Sequence, residues 1–302
     1  TSLPKEEAEE ALAPELQGTG KIYRSPIVRL RQTFDLSTNL RPCKAYTGNP
    51  LNFRDGLDLV VFRQNTEGLY AGVEYHPMPE DVRAKLTETH PAQMGRMENV
   101  DSDDIAMSCR IFTRAGCQGI VRDAFEYAKK FGYTSVTVVE KPNVVRETSG
   151  LMVREARKIA KDYPGIELWE TNIDAMCMWL VKNPEDYGVL VASNMFGDII
   201  SDLCAQLVGG LGFACSGNIG DKVAVFEPSH GSAPKYVGMN KVNPIAMMLS
   251  AKMMLDHLGE LDMANKLESA VADVIAEGKF RTYDMGGTTT TTEMAEAIAA
   301  KC

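Results

Sequence analysis

The chain has 302 residues, 44% of them hydrophobic, and its 32 basic and 41 acidic side chains give it a net charge of −9. A chain of this size buries a substantial core as one large or two ordinary domains, which excludes a miniprotein held together by disulfides. Its charges are spread out with no basic stripe, so nucleic acid and membrane surfaces are poor candidate partners. Seven cysteines without a C-x-x-C pair indicate neither a disulfide framework nor a zinc knuckle, and predict a reducing, cytoplasmic location.

Hydrophobic periodicity predicts an α/β protein whose sheet is covered by helices on both faces. The polar span 77–104 breaks this rhythm and is interpreted as a loop or a small subdomain. The apolar stretch 243–278 predicts two helices broken near Gly259, and Thr290 with Glu293 predicts a capping box for a last helix through Ala300. Elsewhere in the chain, strands are predicted at 57–63, 135–141, 166–171, 187–193 and 222–226, and helices at 117–131 and 147–161.

Several common functional motifs are missing from the sequence. No G-x-G-x-x-G follows a strand, and the phosphate loop G-x-x-x-x-G-K-[ST] does not occur. G-x-S-x-G and H-E-x-x-H are missing as well, and the four histidines lack metal-ligand spacing, which argues against hydrolase triads and zinc chemistry. The apolar run at 245–255 is too short to span a bilayer.

The segment 194–202 carries two carboxylates at a position that favours ligand binding. It follows the strand predicted at 187–193, and open α/β sheets bind ligands at the carboxyl ends of their strands. Asp198 and Asp202 are four residues apart, so on a helix they share one face and repel each other. Mg²⁺ characteristically takes one or two carboxylates plus substrate oxygens. The alternative interpretation is a first helical turn whose acids favour the helix dipole, and the pair alone does not decide between the two.

Three arginines border apolar segments, where an unpaired charge is costly: Arg31, Arg41 and Arg63. A guanidinium binds a carboxylate through a planar two-point fork, so several of them converging would suit a substrate with two or three carboxylates. Each could instead be neutralised by one of the chain's own acidic side chains.

Long motifs follow one another along the chain, in the order RSPIVRLRQTFDL, LRPCKAY, VVFRQNTEGLYAGVEY, EKPNVV, SNMFGDIISDLCAQLVGGLGF, GNIGD and EPSHGSAPKYVGMNKVNPIAMMLS. They resemble the β-decarboxylating dehydrogenases, which include the isocitrate, homoisocitrate, 3-isopropylmalate and tartrate dehydrogenases. The resemblance implies a doubly wound α/β fold without the Rossmann fingerprint. It also implies a large cofactor domain made of residues 1–36 and 209–302, and a small domain of residues 37–208 that holds the dimer interface and an excursion at 70–110.

The resemblance assigns roles to individual residues. The implied substrate binders are Ser25, Arg31, Arg41, Arg63, Tyr70 and Lys141. The implied catalytic groups are Tyr70, Lys141 and Asp174, with Lys141 and Asp174 coming from the second subunit of a homodimer. The implied ligands of Mg²⁺ or Mn²⁺ are Asp174, Asp198 and Asp202. The adenosine half of the nicotinamide cofactor is expected at His230, Gly231, Ser232, Ala233 and Asn243.

The loop after GSAP predicts the choice of cofactor. NAD-dependent relatives generally carry Asp-Ile there, whereas this chain has Lys235 and Tyr236, which are suitable donors to the 2′-phosphate of NADP. Val242 and Tyr283 complete the pattern of the NADP-dependent isocitrate dehydrogenases, but Gly287 stands where those enzymes often carry an arginine. We therefore expect NADP to be preferred over NAD, by a smaller margin than a full set of phosphate ligands would give.

The resemblance favours isocitrate as substrate, because GGLG and GNIGD look more like isocitrate dehydrogenase than isopropylmalate dehydrogenase. Homoisocitrate comes second, because Ile27 stands where isocitrate dehydrogenases usually have Asn. 3-Isopropylmalate is the next alternative, and a catalytically silent subunit that binds citrate-like ligands is an alternative of another class. The retained catalytic and metal-binding residues argue against silence. Only 24 residues precede Ser25, so the first βαβ part of the large domain is expected to be missing from this sequence.

Overall fold

The structure, a computed structural model, describes residues 12–21 and 25–302. Its strands are β1 (Thr38–Lys44), β2 (Asp58–Gln64), β3 (Glu74–Tyr75), β4 (Met107–Ser108), β5 (Ser135–Glu140), β6 (Glu167–Asn172), β7 (Val189–Ala192), β8 (Cys215–Ile219) and β9 (Ala224–Pro228). Its α-helices are α1 (Pro26–Thr33), α2 (Glu80–Thr89), α3 (Pro91–Met94), α4 (Arg114–Phe131), α5 (Thr148–Ile159), α6 (Ile173–Lys182), α7 (Asn194–Leu207), α8 (Ile245–Leu258), α9 (Leu261–Glu277) and α10 (Thr291–Ala299).

Seven strands form one mixed sheet in the order β6-β5-β7-β2-β1-β8-β9. The first four are parallel to one another, β1 is antiparallel to both β2 and β8, and β9 is antiparallel to β8. Strand β8 therefore runs in the same direction as the parallel strands, and the predicted α/β class is confirmed.

Alternate residues of β2 serve two cores on opposite faces of the sheet. Leu59 and Val61 pack in a cluster with α6 and α7, whereas Val60 and Phe62 pack in a cluster with α4 and α5. This follows from the period-2 alternation of a strand that is buried on both faces. A third cluster joins α8, α9 and α10 to the start of β8. Because β1 and β2 share one sheet with β8 and β9, the domain division at 36/37 and 208/209 stays a prediction.

The predicted helices and strands are confirmed with shifted ends. The helix predicted at 117–131 begins at Arg114, because the Thr113 side chain accepts a hydrogen bond from the Gly116 N–H and caps it. The break near Gly259 separates α8 from α9, and the Thr290–Glu293 capping box begins α10 as predicted. The excursion at 77–104 contains α2 and α3, and the two-stranded β3-β4 sheet flanks it.

Strand β1 was not predicted, because Pro42 lacks the N–H that a central strand normally donates. Pro42 lies opposite Val60 of β2, but β8 pairs only with Thr38 to Leu40. On the β8 side, Pro42 therefore has no paired residue to which it would have to donate a backbone N–H, which explains how β1 tolerates a proline.

A cleft of about 1410 Å³ lies on the α4 face of the sheet, lined in part by Thr38, Leu40 and Pro42 of β1. Glu268 on α9 borders it and accepts hydrogen bonds from Lys44 at 2.7 Å and from Lys252 at 2.9 Å. Burial raises the pKa of Glu268, but the two ammonium groups outweigh it and lower the pKa to about 2. This carboxylate therefore ties β1, α8 and α9 together while it is ionised.

Within the part of the chain that the structure describes, no helix is long and apolar enough to cross a membrane. All seven cysteines are free thiols.

Candidate active site

Antiparallel pairing aligns three polar side chains across the middle of the sheet. Asn39 of β1 lies opposite Arg63 of β2 on one side and opposite Asn218 of β8 on the other. All three are buried, and Arg63 is only 2% exposed. The Arg41 Nε donates to Asn39 Oδ1 at 2.7 Å, so the same face also holds the second arginine of the predicted cluster.

Helix α7 brings the two predicted metal-binding carboxylates to this row. Asp198 accepts a short hydrogen bond from Arg63 Nη1 and another from the Tyr70 hydroxyl at 2.6 Å. Arg41 Nη1 lies 3.4 Å from Asp198 and 3.2 Å from Asp202. The structure thus brings together five residues to which the resemblance assigns substrate or metal binding: Arg41, Arg63, Tyr70, Asp198 and Asp202.

Asn218 connects Arg31 to this group. Its Oδ1 accepts from Arg31 Nε at 2.8 Å and from Asn39 Nδ2 at 3.0 Å, while Arg31 also pairs with Glu227 at 3.4 Å. Ser25 is buried at the N-terminus of α1, the helix that carries Arg31. Four of the predicted substrate binders are therefore linked through hydrogen bonds and ion pairs to the same group: Arg31, Arg41, Arg63 and Tyr70.

The three arginines face carboxylates in this structure, and burial lowers the pKa of Arg31 and Arg63. Burial and the neighbouring Arg41 lower the pKa of Arg63 to about 10, which still leaves it protonated at neutral pH. Burial also raises the pKa of Tyr70, and the hydrogen bond that Tyr70 donates to Asp198 raises it further. A buried row of three guanidiniums is suited to an anion with several carboxylates.

Gly197 allows α7 to approach β2 closely. A Cβ at this position would lie 2.7 Å from the Cβ of Arg63 and 3.0 Å from its Cα. We expect Gly197→Ala to push α7 away from Arg63, lower the stability by about 1–3 kcal/mol and reduce turnover, measured by thermal unfolding and initial rates.

The matched control for Gly197→Ala is Gly119→Ala on α4, because a Cβ there meets nothing within 4 Å. Alanine favours a helix more than glycine, so this control should stabilise the chain by about 0.5–1 kcal/mol and leave turnover unchanged. Equal effects of the two substitutions would contradict the assigned role of Gly197.

Lys141 and Asp174 form a separate pair. Lys141 follows the last residue of β5, Asp174 lies in the first turn of α6, and the ammonium donates a short hydrogen bond to the carboxylate. This hydrogen bond lowers the pKa of Asp174. Within the described residues of one chain, no three His, Cys, Asp or Glu side chains cluster as a metal site, so Asp174 does not join Asp198 and Asp202 there. Its predicted delivery from a second subunit stays a prediction.

Two tyrosines and two lysines gather around the loop that follows β9. The Tyr236 and Tyr283 rings lie 5.3 Å apart, and Lys235 Nζ lies 4.9 Å from the Tyr236 ring. Lys241 Nζ lies 4.7 Å from the Tyr283 ring. Hydrogen bonds from Tyr283 and from Lys235 lower the pKa of Tyr236. The structure thus brings three predicted cofactor residues together and adds Lys241.

The other predicted cofactor residues lie around the same loop. The Asn243 side chain donates to Asp284 at 3.0 Å and accepts from the Ile245 N–H, so it fixes the start of α8. Gly212 makes room for this pair, because a Cβ there would lie 2.5 Å from Asp284 Oδ2. The exposed loop residues are His230, Gly231 and Ser232; Ala233 precedes the 3-10 turn, and the Val242 carbonyl accepts from Thr291.

Sequence reasoning missed Asn39, Asn218 and Glu227 as parts of the site. Asn39 was detectable, because it precedes Arg41 by two residues and a strand places such residues on one face. Asn218 and Glu227 lie on two strands whose pairing with β1 and with each other the sequence did not predict.

The model of the family described as "Isocitrate/isopropylmalate dehydrogenase" matches residues 11–298. The chain belongs to this family. This match confirms the family that the motifs predict. Its members are decarboxylating dehydrogenases that use a nicotinamide cofactor and a divalent metal.

Individual relatives carry different names. Protein DlpA of Legionella pneumophila is 40% identical over 304 residues, covering 100% of this chain and 48% of that protein. A 3-isopropylmalate dehydrogenase of Methanothermobacter thermautotrophicus is 42% identical, covering 99% and 84%. The mitochondrial isocitrate dehydrogenase [NAD] catalytic subunit 5 of Arabidopsis thaliana is 43% identical, covering 92% and 68%.

A solved isocitrate dehydrogenase from Methylococcus capsulatus has the same fold, with a TM-score of 0.82 and 40% identity over 93% of this chain and 78% of that one. The chain therefore spans between about half and four fifths of the lengths of these proteins.

Proposed function

We propose that the chain catalyses the oxidative decarboxylation of isocitrate to 2-oxoglutarate and CO₂, with homoisocitrate as the second candidate substrate. The observation that carries this proposal is the buried row of Arg31, Arg41 and Arg63 beside Asp198 and Tyr70. Three guanidiniums at one site match an anion with three carboxylates. A monocarboxylate could engage only part of this set of donors.

The carboxylate pair fits Mg²⁺ or Mn²⁺. Arg41 Nη1 is within salt-bridge distance of both Asp198 and Asp202, so the pair accommodates positive charge between its members, and the Asp202 side chain is 61% exposed. Asp198, Asp202 and the second subunit's copy of Asp174 would hold the cation, which would polarise the substrate's oxygens and stabilise developing negative charge. The nicotinamide cofactor would accept the hydride.

The chain's own residues bind the substrate and move protons. The arginines orient the carboxylates, and Ser25 contacts the carboxylate farthest from the reacting carbon. The second subunit's Lys141, in its neutral amine form, takes the proton of the substrate hydroxyl as hydride leaves. After CO₂ is lost, Tyr70 returns a proton to the resulting carbanionic carbon. Since burial raises the pKa of Tyr70, its hydroxyl remains a proton donor at neutral pH.

The test of this proposal compares kcat/KM for isocitrate, homoisocitrate and 3-isopropylmalate, each with Mg²⁺ and each cofactor. We expect isocitrate to be best and homoisocitrate to follow within about 1–3 kcal/mol, which is what one methylene is worth in discrimination. A preference of more than about tenfold for 3-isopropylmalate would reverse the proposed order. Binding of isocitrate without turnover would favour the silent, ligand-binding subunit.

We propose a homodimer with shared sites as the working form. Helices α6 and α7 expose apolar side chains to solvent, among them Met178 and Val181 at 52% and Ile199 at 47%. A second copy that covers this surface would also bring the α6 residue Asp174 toward a neighbouring site. Sedimentation of the purified chain tests the dimer.

We also propose a cytoplasmic location, with which the free cysteine thiols are compatible.

We expect NADP to be preferred over NAD. Lys235 and Lys241 place two ammonium groups near the Tyr236 and Tyr283 rings, and ammonium and phenol groups are suitable donors to a dianionic phosphate. Lys235→Asp with Tyr236→Ile should reverse the preference, because an acidic side chain repels the phosphate and accepts from a ribose hydroxyl. The measurement is kcat/KM for both cofactors. An unchanged ratio in the double variant would mean that the loop does not contact the 2′ position.

A further inference from the structure

Glu140 is a carboxylate at the last position of β5 that is only 1% exposed. It immediately precedes Lys141, yet it points into the protein and takes no part in the site described above. Its Oε2 accepts from Arg110 Nη2 at 3.0 Å and from the Ser149 hydroxyl, and its Oε1 accepts from the Ser193 N–H at 2.9 Å. A buried carboxylate with this many donors is held in a single orientation.

Arg110 extends the hydrogen-bond network of Glu140 through the hydroxyls of three residues. Its guanidinium donates to the Ser193 hydroxyl at 2.8 Å, to the Thr148 hydroxyl at 3.0 Å and to the Ser149 hydroxyl at 3.1 Å. The Phe112 and Phe196 rings lie 4.5 and 4.7 Å from it. Rings at this distance restrict the guanidinium plane and add cation–π attraction, so Arg110 is fixed as firmly as Glu140.

The segments that this ion pair joins carry the two halves of the proposed chemistry. On one side, the Ser149 hydroxyl accepts from the Lys141 N–H at 3.2 Å, which fixes the backbone of the proposed base. On the other side, Ser193 is the N-cap of α7, whose first turns hold Asp198 and Asp202. Strands β5 and β7 are parallel neighbours, so the Glu140–Arg110 pair bridges their carboxyl ends.

We propose that Arg110 and Glu140 are positioning residues that hold Lys141 and the N-terminus of α7 at fixed places. This inference rests on the proposed function, because that function gives Lys141 its role. Neither residue reaches the substrate, so the pair acts on the rate of the chemical step rather than on binding. A displacement of about 1 Å in a reacting group can cost about 100-fold in rate.

The experiment measures kcat and KM for isocitrate in Glu140→Gln, Arg110→Met, Arg110→Lys and the Glu140→Gln/Arg110→Met double variant. Each single loss should lower kcat by about 10- to 100-fold and leave KM within about threefold. Arg110→Lys keeps the charge next to Glu140 and should recover part of the rate. The double variant should be no slower than the slower single variant, because it leaves no unpaired buried charge.

The matched control is Glu268→Gln, which removes the negative charge that Lys44 and Lys252 face, far along the chain from this pair. It should lower the thermal stability and leave kcat unchanged. If Glu140→Gln behaves in the same way, the pair is merely structural and the inference is wrong.

Amide hydrogen exchange separates this inference from the proposed function. Glu140→Gln should speed exchange at the Ser193 and Lys141 amides, and the control should not. If the parent chain turns over none of the three acids, the proposed function fails, and exchange at these two amides still decides whether the pair positions them. Unchanged exchange would overturn the inference.

Discussion

Asp198→Asn should lower turnover of isocitrate by about 10³-fold, which corresponds to several kcal/mol of lost transition-state stabilisation. The substitution removes a negative charge from the proposed cation site while keeping the shape of the side chain. It also removes the charge that faces Arg63, a guanidinium with only 2% of its side chain exposed. A loss of stability will therefore accompany the loss of activity, because an unpaired buried charge is costly. Steady-state rates and thermal unfolding measure the two effects.

Asp202→Asn separates the metal role from this structural one. The Asp202 side chain is 61% exposed and, among the residues that the structure describes, forms an ion pair only with Arg41 at 3.2 Å. Its loss therefore leaves Arg63 and Asp198 together. We expect near-parental stability and a higher Mg²⁺ concentration for half-maximal activity. If both variants keep near-parental kcat at ordinary Mg²⁺, the carboxylates do not hold a catalytic cation.

The elements that the sequence predicted are those with strong, local patterns. Helix α4 has an apolar face of Cys117, Val121 and Ala124, and β5 is a run of apolar and β-branched residues buried on both sides. Strand β1 escaped prediction because its stability comes from pairing with distant strands rather than from its own composition. Pro42 makes that composition misleading.

The charged residues of the site were predictable, but the amides that hold them were not. Arg31, Arg41 and Asp198 stand beside apolar segments, where a charge is conspicuous. Asn39 and Asn218 are uncharged, and their roles depend on the register of β1 against β8, a pairing between residues about 180 positions apart. Arg110 was missed for the same reason, because its partners Glu140 and Ser193 meet it only in the folded sheet.

The arginines of the site form ion pairs with carboxylates of the same chain. Arg41 and Arg63 face Asp198, and Arg31 faces Glu227, so each buried guanidinium has a carboxylate partner within the chain. A tricarboxylate would compete for these same arginines. Substrate and cation should therefore bind cooperatively, since each releases the partner that the other requires.

A mixture of Lys141→Met and Asp198→Asn chains should recover activity that neither variant has alone. If each site takes Asp198 from one chain and Lys141 from the other, a mixed dimer contains one site with both groups intact and one site with both groups lost. Random pairing makes about half of the dimers mixed, so the mixture should reach about a quarter of the parental rate. The two chains are refolded together, and activity is followed against their ratio.

The contacts of Lys141 make this result informative. Within one chain, Lys141 pairs with Asp174 and not with Tyr70, whose hydroxyl donates to Asp198 instead. If each site were assembled inside one chain, every site in the mixture would lack either its lysine or its aspartate. Mixing the two variants would then restore no activity. The control mixes Lys141→Met with Lys141→Met/Asp198→Asn, in which no site has its lysine. Activity in the first mixture alone requires the two halves to meet across subunits, whereas inactivity in both, with mixed dimers present, would contradict the shared site.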